Sequence, residues 1–152
     1  MQAIAVYEES RVFEYVKAHE RLLGITLQAT LAEFNDVYGL QARAICRNRK
    51  TSYYDQHNGQ TIVLGWQQIM FFMRYGYYEY PSLEWMVPKP RPVGLTGVFW
   101  LLCHEYAHAV QHSREGRRYG SVHNAVFVEA VQELHAMWPF GDLRRWKQMP
   151  SL

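Results

Sequence analysis

The sequence predicts one α+β domain that spans residues 1–152, and three observations support this fold class. Long stretches with apolar residues three and four positions apart predict amphipathic helices. After the first of these stretches, short runs of alternating or β-branched apolar residues predict a small antiparallel sheet. A chain of 152 residues with 49% hydrophobic residues can bury one core, whereas two domains of half that length would be hard to stabilise.

The first half of the chain is predicted to form a long helix and two strands. Apolar residues recur at helical spacing from Ser10 to Tyr38. Gly24 could divide this helix in two, and Gly39 is expected to end it because glycine adopts the left-handed conformation without steric cost. Residues 40–48 alternate between apolar and basic side chains and predict a strand, and residues 52–56 predict a second one.

The middle of the chain is predicted to complete the sheet and then to form a loop. A turn at His57-Asn58-Gly59 precedes a third strand over Thr61–Leu64, which is rich in β-branched residues. A short helix is predicted over Gln67–Tyr75. The segment from Tyr77 to Val93 contains four prolines and is predicted to be an ordered loop without a helix. The aromatic residues between Phe71 and Trp85 could line a substrate groove or a partner surface, although packing against the core is the commoner role.

Two further helices are predicted in the second half of the chain. Thr96 is expected to cap a helix over Gly97–Arg114, whose first half is apolar on all sides and must therefore be buried. Ser121 is expected to cap a last helix from Val122 to about Trp138, which ends at Pro139. The last helix should lie alongside the buried one.

The buried helix contains the motif His104-Glu105-Tyr106-Ala107-His108, which has the form HExxH. Residues four apart on a helix differ by about 40° in direction and roughly 6 Å in height, so both imidazoles can bind one metal ion. Glu105 lies beside the pair and can act as general base on a water molecule at the metal. Two histidines and a glutamate would be costly to bury in an apolar helix without such a role. The motif therefore predicts a site for one zinc ion, Zn²⁺.

A catalytic zinc site usually has three protein ligands and one open position, so a third ligand is required. His112 lies on the same helix face, but about 12 Å of helical rise separates it from His104, which is too far for one ion. The metzincin pattern would require a glycine and a histidine where this chain has Gln111 and Arg114. The remaining candidates lie on the last helix: His123, which we favour, Glu129 or Glu133 as alternatives, and His135, which packing explains better.

The motif His104-Glu105-x-x-His108, a loop with glycines, and His123-x-x-x-Phe127 together resemble the SprT-like family of zinc metallopeptidases, which includes the Spartan proteases. The resemblance covers roughly residues 10–137 and includes the order of helix, sheet and HExxH helix. It implies a zincin-like minimal metallopeptidase fold, with His104, His108 and His123 as zinc ligands and Glu105 as general base. The chain departs from the family in having Asn124 where glycine is usual, and it contains no CxxC pair of a zinc ribbon.

The leading hypothesis is a zinc-dependent endopeptidase that hydrolyses a protein or peptide substrate. Tyr106 or Tyr119 could donate a hydrogen bond to the tetrahedral intermediate, and the sequence does not select between them. The alternative is a zinc-stabilised binding module without catalytic activity, of phage or mobile-element origin, whose partner is DNA or a protein. A third hypothesis is a protease that cleaves a single partner. Glu105 favours an enzyme because a purely structural zinc site needs no base.

Composition restricts the partners and the location. A net charge of +2 is too small to indicate nucleic acid or an anionic membrane by itself. Three groups of basic residues could contact phosphates, although such residues are more often solvated surface positions. The groups are Arg43, Arg47, Arg49 and Lys50; Arg114, Arg117 and Arg118; and Arg144, Arg145 and Lys147. No apolar run approaches the ~20 residues that span a bilayer, and the first ten residues do not resemble a secretory signal. We therefore expect a cytoplasmic protein with two buried thiols, Cys46 and Cys103. The oligomeric state and the substrate stay open.

Overall fold

The computed structural model describes residues 4–57, 59–116, 122–140 and 143–152, and in them the α+β class is confirmed. One helix precedes the three strands, and the other helices follow them. The elements are α1 (Glu9–Tyr38), β1 (Arg43–Arg47), β2 (Tyr53–Asp55), β3 (Thr61–Gly65), α2 (Trp66–Tyr75), a 3₁₀ helix (Pro81–Met86), α3 (Leu95–Glu115), α4 (Ala125–Met137) and α5 (Arg144–Lys147).

The three strands form a mixed sheet, so the prediction of an antiparallel sheet is wrong for one of its two pairings. The strand order is β1-β3-β2, with β1 parallel to β3 and β2 antiparallel to β3. Ile62 pairs with Ala44 on one side and with Tyr54 on the other. All five residues of β3 are buried, which explains its central position. The predicted turn residue Asn58 lies outside the described residues.

Helix α1 buries one stripe of side chains and ends where the sequence predicts. Leu23, Leu27 and Leu31 recur every four residues and are at most 1% exposed. The helix continues through Gly24, and its one non-helical backbone conformation is at His19 instead. Gly39 has a φ of 66° and donates its N–H to the carbonyl of Asn35 at 2.8 Å, as expected for a glycine that ends a helix.

The proline-containing segment includes a 3₁₀ helix, which the sequence-based prediction of a loop without a helix missed. Pro81 occupies the first turn of this helix, where a backbone N–H would have no partner within the helix. The amide of Tyr77 donates to the carbonyl of Pro92 at 2.8 Å, so the two ends of the segment lie together. The segment is therefore an ordered excursion that returns to α3.

Helix α3 is the buried helix of the fold and packs against both α2 and α4. A Cβ atom at Gly97 would lie 2.9 Å from the carbonyl oxygen of Phe72, so glycine is required for the close approach of α2 and α3. The predicted cap Thr96 is wrong, because α3 begins at Leu95, two residues before the predicted start, and its cap position is Gly94. Most of the HExxH motif therefore lies in the protein interior.

Helix α4 begins later than predicted. Its first residue is Ala125, and the side chain of Asn124 caps it by accepting a hydrogen bond from the amide of Phe127. Val122 and His123 consequently precede the helix, and the predicted cap Ser121 lies outside the described residues. The sequence contains two reasonable cap residues three positions apart, and the structure uses the second.

The C-terminal residues pack back onto α1. Trp146 in the short helix α5 is 2% exposed and donates its indole N–H to Thr30 at 2.8 Å. Cys103 is buried and Cys46 is half-buried, and both are free thiols. Within the described residues, no helix combines the length and the hydrophobicity needed to cross a membrane.

Candidate metal centre

Three histidines converge at one point beside α3. His104 and His108 lie one turn apart on this helix, and His123 reaches them from the segment just before α4. One ring nitrogen of each lies within 4.8 Å of the corresponding nitrogens of the other two. The structure therefore brings together the three histidines that the sequence singled out, although His123 is positioned by the chain before the last helix and not by the helix itself.

The spacing of the histidine nitrogens fits a tetrahedral zinc ion. Zinc binds imidazole nitrogen at about 2.0–2.1 Å, which places two tetrahedral ligand nitrogens about 3.3 Å apart. Nε2 of His104 and Nε2 of His123 are 3.3 Å apart. Three neutral imidazoles are also a common zinc donor set, with the fourth position left open. This pair therefore matches the spacing of two zinc ligands, and all three histidines lie close enough together to hold one metal ion.

Phe127 forms the floor of the histidine cluster. Its ring stacks on His108 at a centroid distance of 4.5 Å and contacts His104 and His123, each at 4.9 Å. Phe127, Ala130 and Leu134 are fully buried on α4, which packs against α3. One aromatic ring thus restricts the orientation of all three imidazoles.

His104 is oriented by a carboxylate. Its Nδ1 lies 2.7 Å from Oε2 of Glu79, which also accepts a hydrogen bond from the hydroxyl of Tyr77. Burial by itself would lower the pKa of His104, but the hydrogen bond to Glu79 and the charges of Glu105 and Glu79 raise it above the ordinary value. With Nδ1–H directed at Glu79, Nε2 is left to bind the metal.

His108 is oriented by a chain of amides. The amide N–H of Phe127 can only donate, so Oδ1 of Asn124 is an acceptor, and Nε2 of Gln111 donates to the same atom at 2.9 Å. The oxygen of the Gln111 side-chain amide, Oε1, lies 3.0 Å from Nδ1 of His108. His108 must therefore donate from Nδ1, which leaves Nε2 to bind the metal. Burial lowers the pKa of His108 to about 3, so this imidazole is neutral.

Glu105 is a buried carboxyl group next to the histidines. Only 5% of it is exposed, and Oε1 lies 4.0 Å from Nε2 of His104. Its Oε2 has no hydrogen-bond partner among the described residues. Burial raises the pKa of Glu105 to about 7, with the charge of His104 acting in the opposite direction. A carboxyl group with such a pKa can both accept and release a proton near neutrality.

The histidine cluster opens onto a cleft of about 610 Å³. Strand β2 forms one side of the cleft, and α3 forms another. Tyr80, which is 58% exposed, stands at the cleft with its ring 4.5 Å from the ring of His123. Because β2 is an edge strand, one edge of its backbone is not paired within the described sheet.

The other ligand candidates have different roles. Glu133 binds Arg114 through both carboxylate oxygens, at 2.8 and 2.9 Å, and Glu129 lies 4.0 Å from the same guanidinium. In this structure Glu129 and Glu133 are therefore not part of the cluster formed by His104, His108 and His123. His135 packs its ring on Trp100 at a centroid distance of 3.6 Å, in agreement with the packing role expected from the sequence.

Neither tyrosine suggested for the tetrahedral intermediate can be assigned that role. Tyr106 is fully buried and donates its hydroxyl to Oδ1 of Asn35 at 3.0 Å, so it contacts α1 instead of the cleft. Tyr119 lies outside the described residues, as do Arg117 and Arg118. Arg114, from the same basic group, is paired with Glu133.

Sequence reasoning missed Glu79 and Gln111 as supports of the site. Gln111 lies three residues after His108, and this spacing places the two on the same helix face, so a local signal was present. Glu79 is 25 residues before His104 and belongs to the proline-containing segment, so only the fold brings the two together. It is the one acidic residue in the run Tyr77-Tyr78-Glu79-Tyr80.

Comparisons with known proteins add no family assignment: no protein-family model, no curated protein and no solved structure matches this chain. The proposed function therefore rests on the geometry of the site.

Proposed function

We propose that this protein is a zinc-dependent endopeptidase of the SprT-like type. The observation that carries the proposal is the pairing of two features at one cleft. Three histidine nitrogens lie within 4.8 Å of one another, and the buried carboxyl group of Glu105 lies next to them without a structural partner at Oε2. A structural zinc site has four protein ligands and needs no such base, whereas a hydrolytic site has three and does.

The ligands in this proposal are His104, His108 and His123. When bound, zinc would supply Lewis acidity, which lowers the pKa of water and polarises a carbonyl group. Glu105 accepts the proton of the attacking water and then donates it to the leaving amine. Glu79 and Gln111 hold the imidazoles of His104 and His108 in the tautomer that leaves Nε2 as ligand.

A peptide is the substrate class that the cleft fits best. Residues of the edge strand β2 line the cleft, and an extended peptide can add to an edge strand through main-chain hydrogen bonds. These bonds depend little on side-chain identity, so they suit a substrate recognised through its backbone. This arrangement supports peptide-bond hydrolysis over hydrolysis of a small molecule.

The test is cleavage of an unfolded protein by the zinc-loaded chain, with and without DNA, beside the Glu105→Gln variant. We expect the wild-type chain to cut the substrate and the variant to be slower by at least about 10²-fold, because a general base contributes about 10²–10⁴. The variant should still bind zinc. If zinc-loaded wild type and variant are equally inactive in every condition, the alternative of a zinc-stabilised binding module for DNA or protein replaces the enzyme.

A further inference from the structure

The helix face that carries the metal histidines continues into the cleft with His112. This residue is one turn beyond His108, so its imidazole lies on the same side of α3 but about 6 Å further along the axis. It lines the same cleft as His104, Glu105 and His123. His112 is too far from His104 to share a metal ion with it. It remains available to contact a peptide bound in the cleft.

His112 is held by a tyrosine from β2, which also lines the cleft. The hydroxyl of Tyr54, on the edge strand β2, lies 3.1 Å from Nδ1 of His112. Burial and the nearby charge of Asp55 raise the pKa of Tyr54, so its hydroxyl keeps its proton and can donate. A hydroxyl that donates to Nδ1 leaves the proton of a neutral imidazole on Nε2.

We propose that His112 is the group that stabilises the oxyanion of the tetrahedral intermediate, and that Tyr54 is a positioning residue that fixes its tautomer. This inference rests on the proposed function. As water adds to the scissile carbonyl, the carbonyl oxygen takes up the electron pair of its π bond, and Nε2–H of His112 donates a hydrogen bond to that oxygen. No proton is transferred from His112, and the amine leaves with the proton that Glu105 carries.

On α3, this role falls to His112 because two other donors of the same helix are already engaged. Tyr106 contacts Asn35 on α1, and Gln111 is held between His108 and Asn124. His112 and Tyr54 come from two elements that both line the cleft, and their direct contact holds the donor in place at its side. Such a donor is fixed before the reaction begins, which is the property that stabilises a developing charge.

The test compares His112→Ala and Tyr54→Phe with wild type, using Ser113→Ala as the control because Ser113 is the exposed next residue on α3. Three quantities are measured on each zinc-loaded protein: the zinc content, kcat and KM for one peptide, and the affinity for a phosphonamidate analogue of that peptide. Loss of an oxyanion donor typically lowers kcat by about 10²–10³.

We expect His112→Ala to lower kcat by about 10²–10³, with unchanged KM and zinc content, and to weaken the phosphonamidate by a comparable factor. Tyr54→Phe should give a smaller loss in the same two quantities, and Ser113→Ala should give none. Unchanged kcat in an active His112→Ala enzyme overturns the inference alone, and so does a loss of kcat that follows a loss of zinc. A zinc-loaded wild type that cleaves no peptide overturns the proposed function, and the inference with it.

Discussion

Gln111 donates a hydrogen bond from Nε2 to Oδ1 of Asn124 at 2.9 Å, and this contact links two of the three metal histidines. Gln111 fixes the tautomer of His108, and Asn124 is the residue directly after His123. Asn124 also begins α4 as its cap. Asn124 therefore caps the last helix and directly follows the proposed third ligand, His123.

Two substitutions of Asn124 should distinguish its effect on stability from its effect on zinc affinity. Asn124→Ala removes the cap, so we expect a loss of about 1 kcal/mol in the free energy of unfolding of the zinc-free protein. It should also weaken zinc binding about 10–100-fold, as expected when a group behind a metal ligand is lost. Asn124→Ser should restore the cap but not the contact with Gln111, because its side chain is shorter. The measurements are denaturant unfolding and competition for zinc with a chelator.

Gln132→Ala, at an exposed position of α4, is the control for both quantities. Equal zinc affinity in Asn124→Ser and wild type would contradict the proposed link between Asn124 and His108.

Glu79 should matter for zinc affinity although it is not a ligand. Its carboxylate accepts the Nδ1–H of His104, and burial, which would raise its pKa, is outweighed by hydrogen bonds that lower it. Glu79→Gln removes the negative charge from this contact, so we expect zinc binding to weaken about 10–100-fold. Glu14→Gln, at an exposed position of α1, should have no effect. A zinc affinity of Glu79→Gln equal to that of wild type would show that His104 needs no carboxylate behind it.

Glu133 should be dispensable for the metal. It forms a two-point ion pair with Arg114 that joins α3 to α4, and both side chains are partly exposed, 32% and 36%. Ion pairs of this exposure contribute about 0.2–1 kcal/mol. Glu133→Gln should therefore lower the free energy of unfolding by no more than this and leave one zinc per chain. A loss of zinc from this variant would restore Glu133 as a ligand candidate.

His135 should make the zinc-free protein less stable in acid. Burial lowers its pKa to about 4, while the charge of Glu79 acts in the opposite direction. In the unfolded chain the pKa is about 6.5, so the unfolded state binds more protons between these two values. The free energy of unfolding should thus decrease as the pH falls from about 6.5 to 4, with an upper limit of about 3 kcal/mol from this residue.

His135→Leu should reduce that decrease, and denaturant unfolding of the zinc-free wild type and variant at several pH values measures it. The comparison is needed because His108, with its pKa near 3, acts in the same direction. Parallel pH dependence in the two proteins would contradict the assignment to His135.

The sequence predicted the parts of the fold and site that local patterns determine. The helical period of α1, the stop at Gly39 and the HExxH motif on a buried helix all follow from neighbouring residues. The parallel pairing of β1 with β3 was missed, because strand order depends on which strand is most buried in the finished fold. Glu79 was missed for a related reason, since a contact across 25 residues leaves no local pattern.

The proposed third ligand, His123, could be predicted only in part from the sequence. His123 could be chosen from the chemistry of zinc and the distance available to the chain, but its placement before α4 depends on Asn124 acting as the cap. The sequence also offers Ser121 as a cap, and local preference alone does not choose between the two residues.

The most direct test of the central claim is the zinc content of the purified chain, measured by elemental analysis beside His123→Ala and Glu105→Gln. We predict one zinc per chain in wild type and in Glu105→Gln, loss or weakening of zinc in His123→Ala, and cleavage by wild type alone. Full zinc in His123→Ala would contradict the three-histidine centre, and equal cleavage by wild type and Glu105→Gln would contradict Glu105 as the general base.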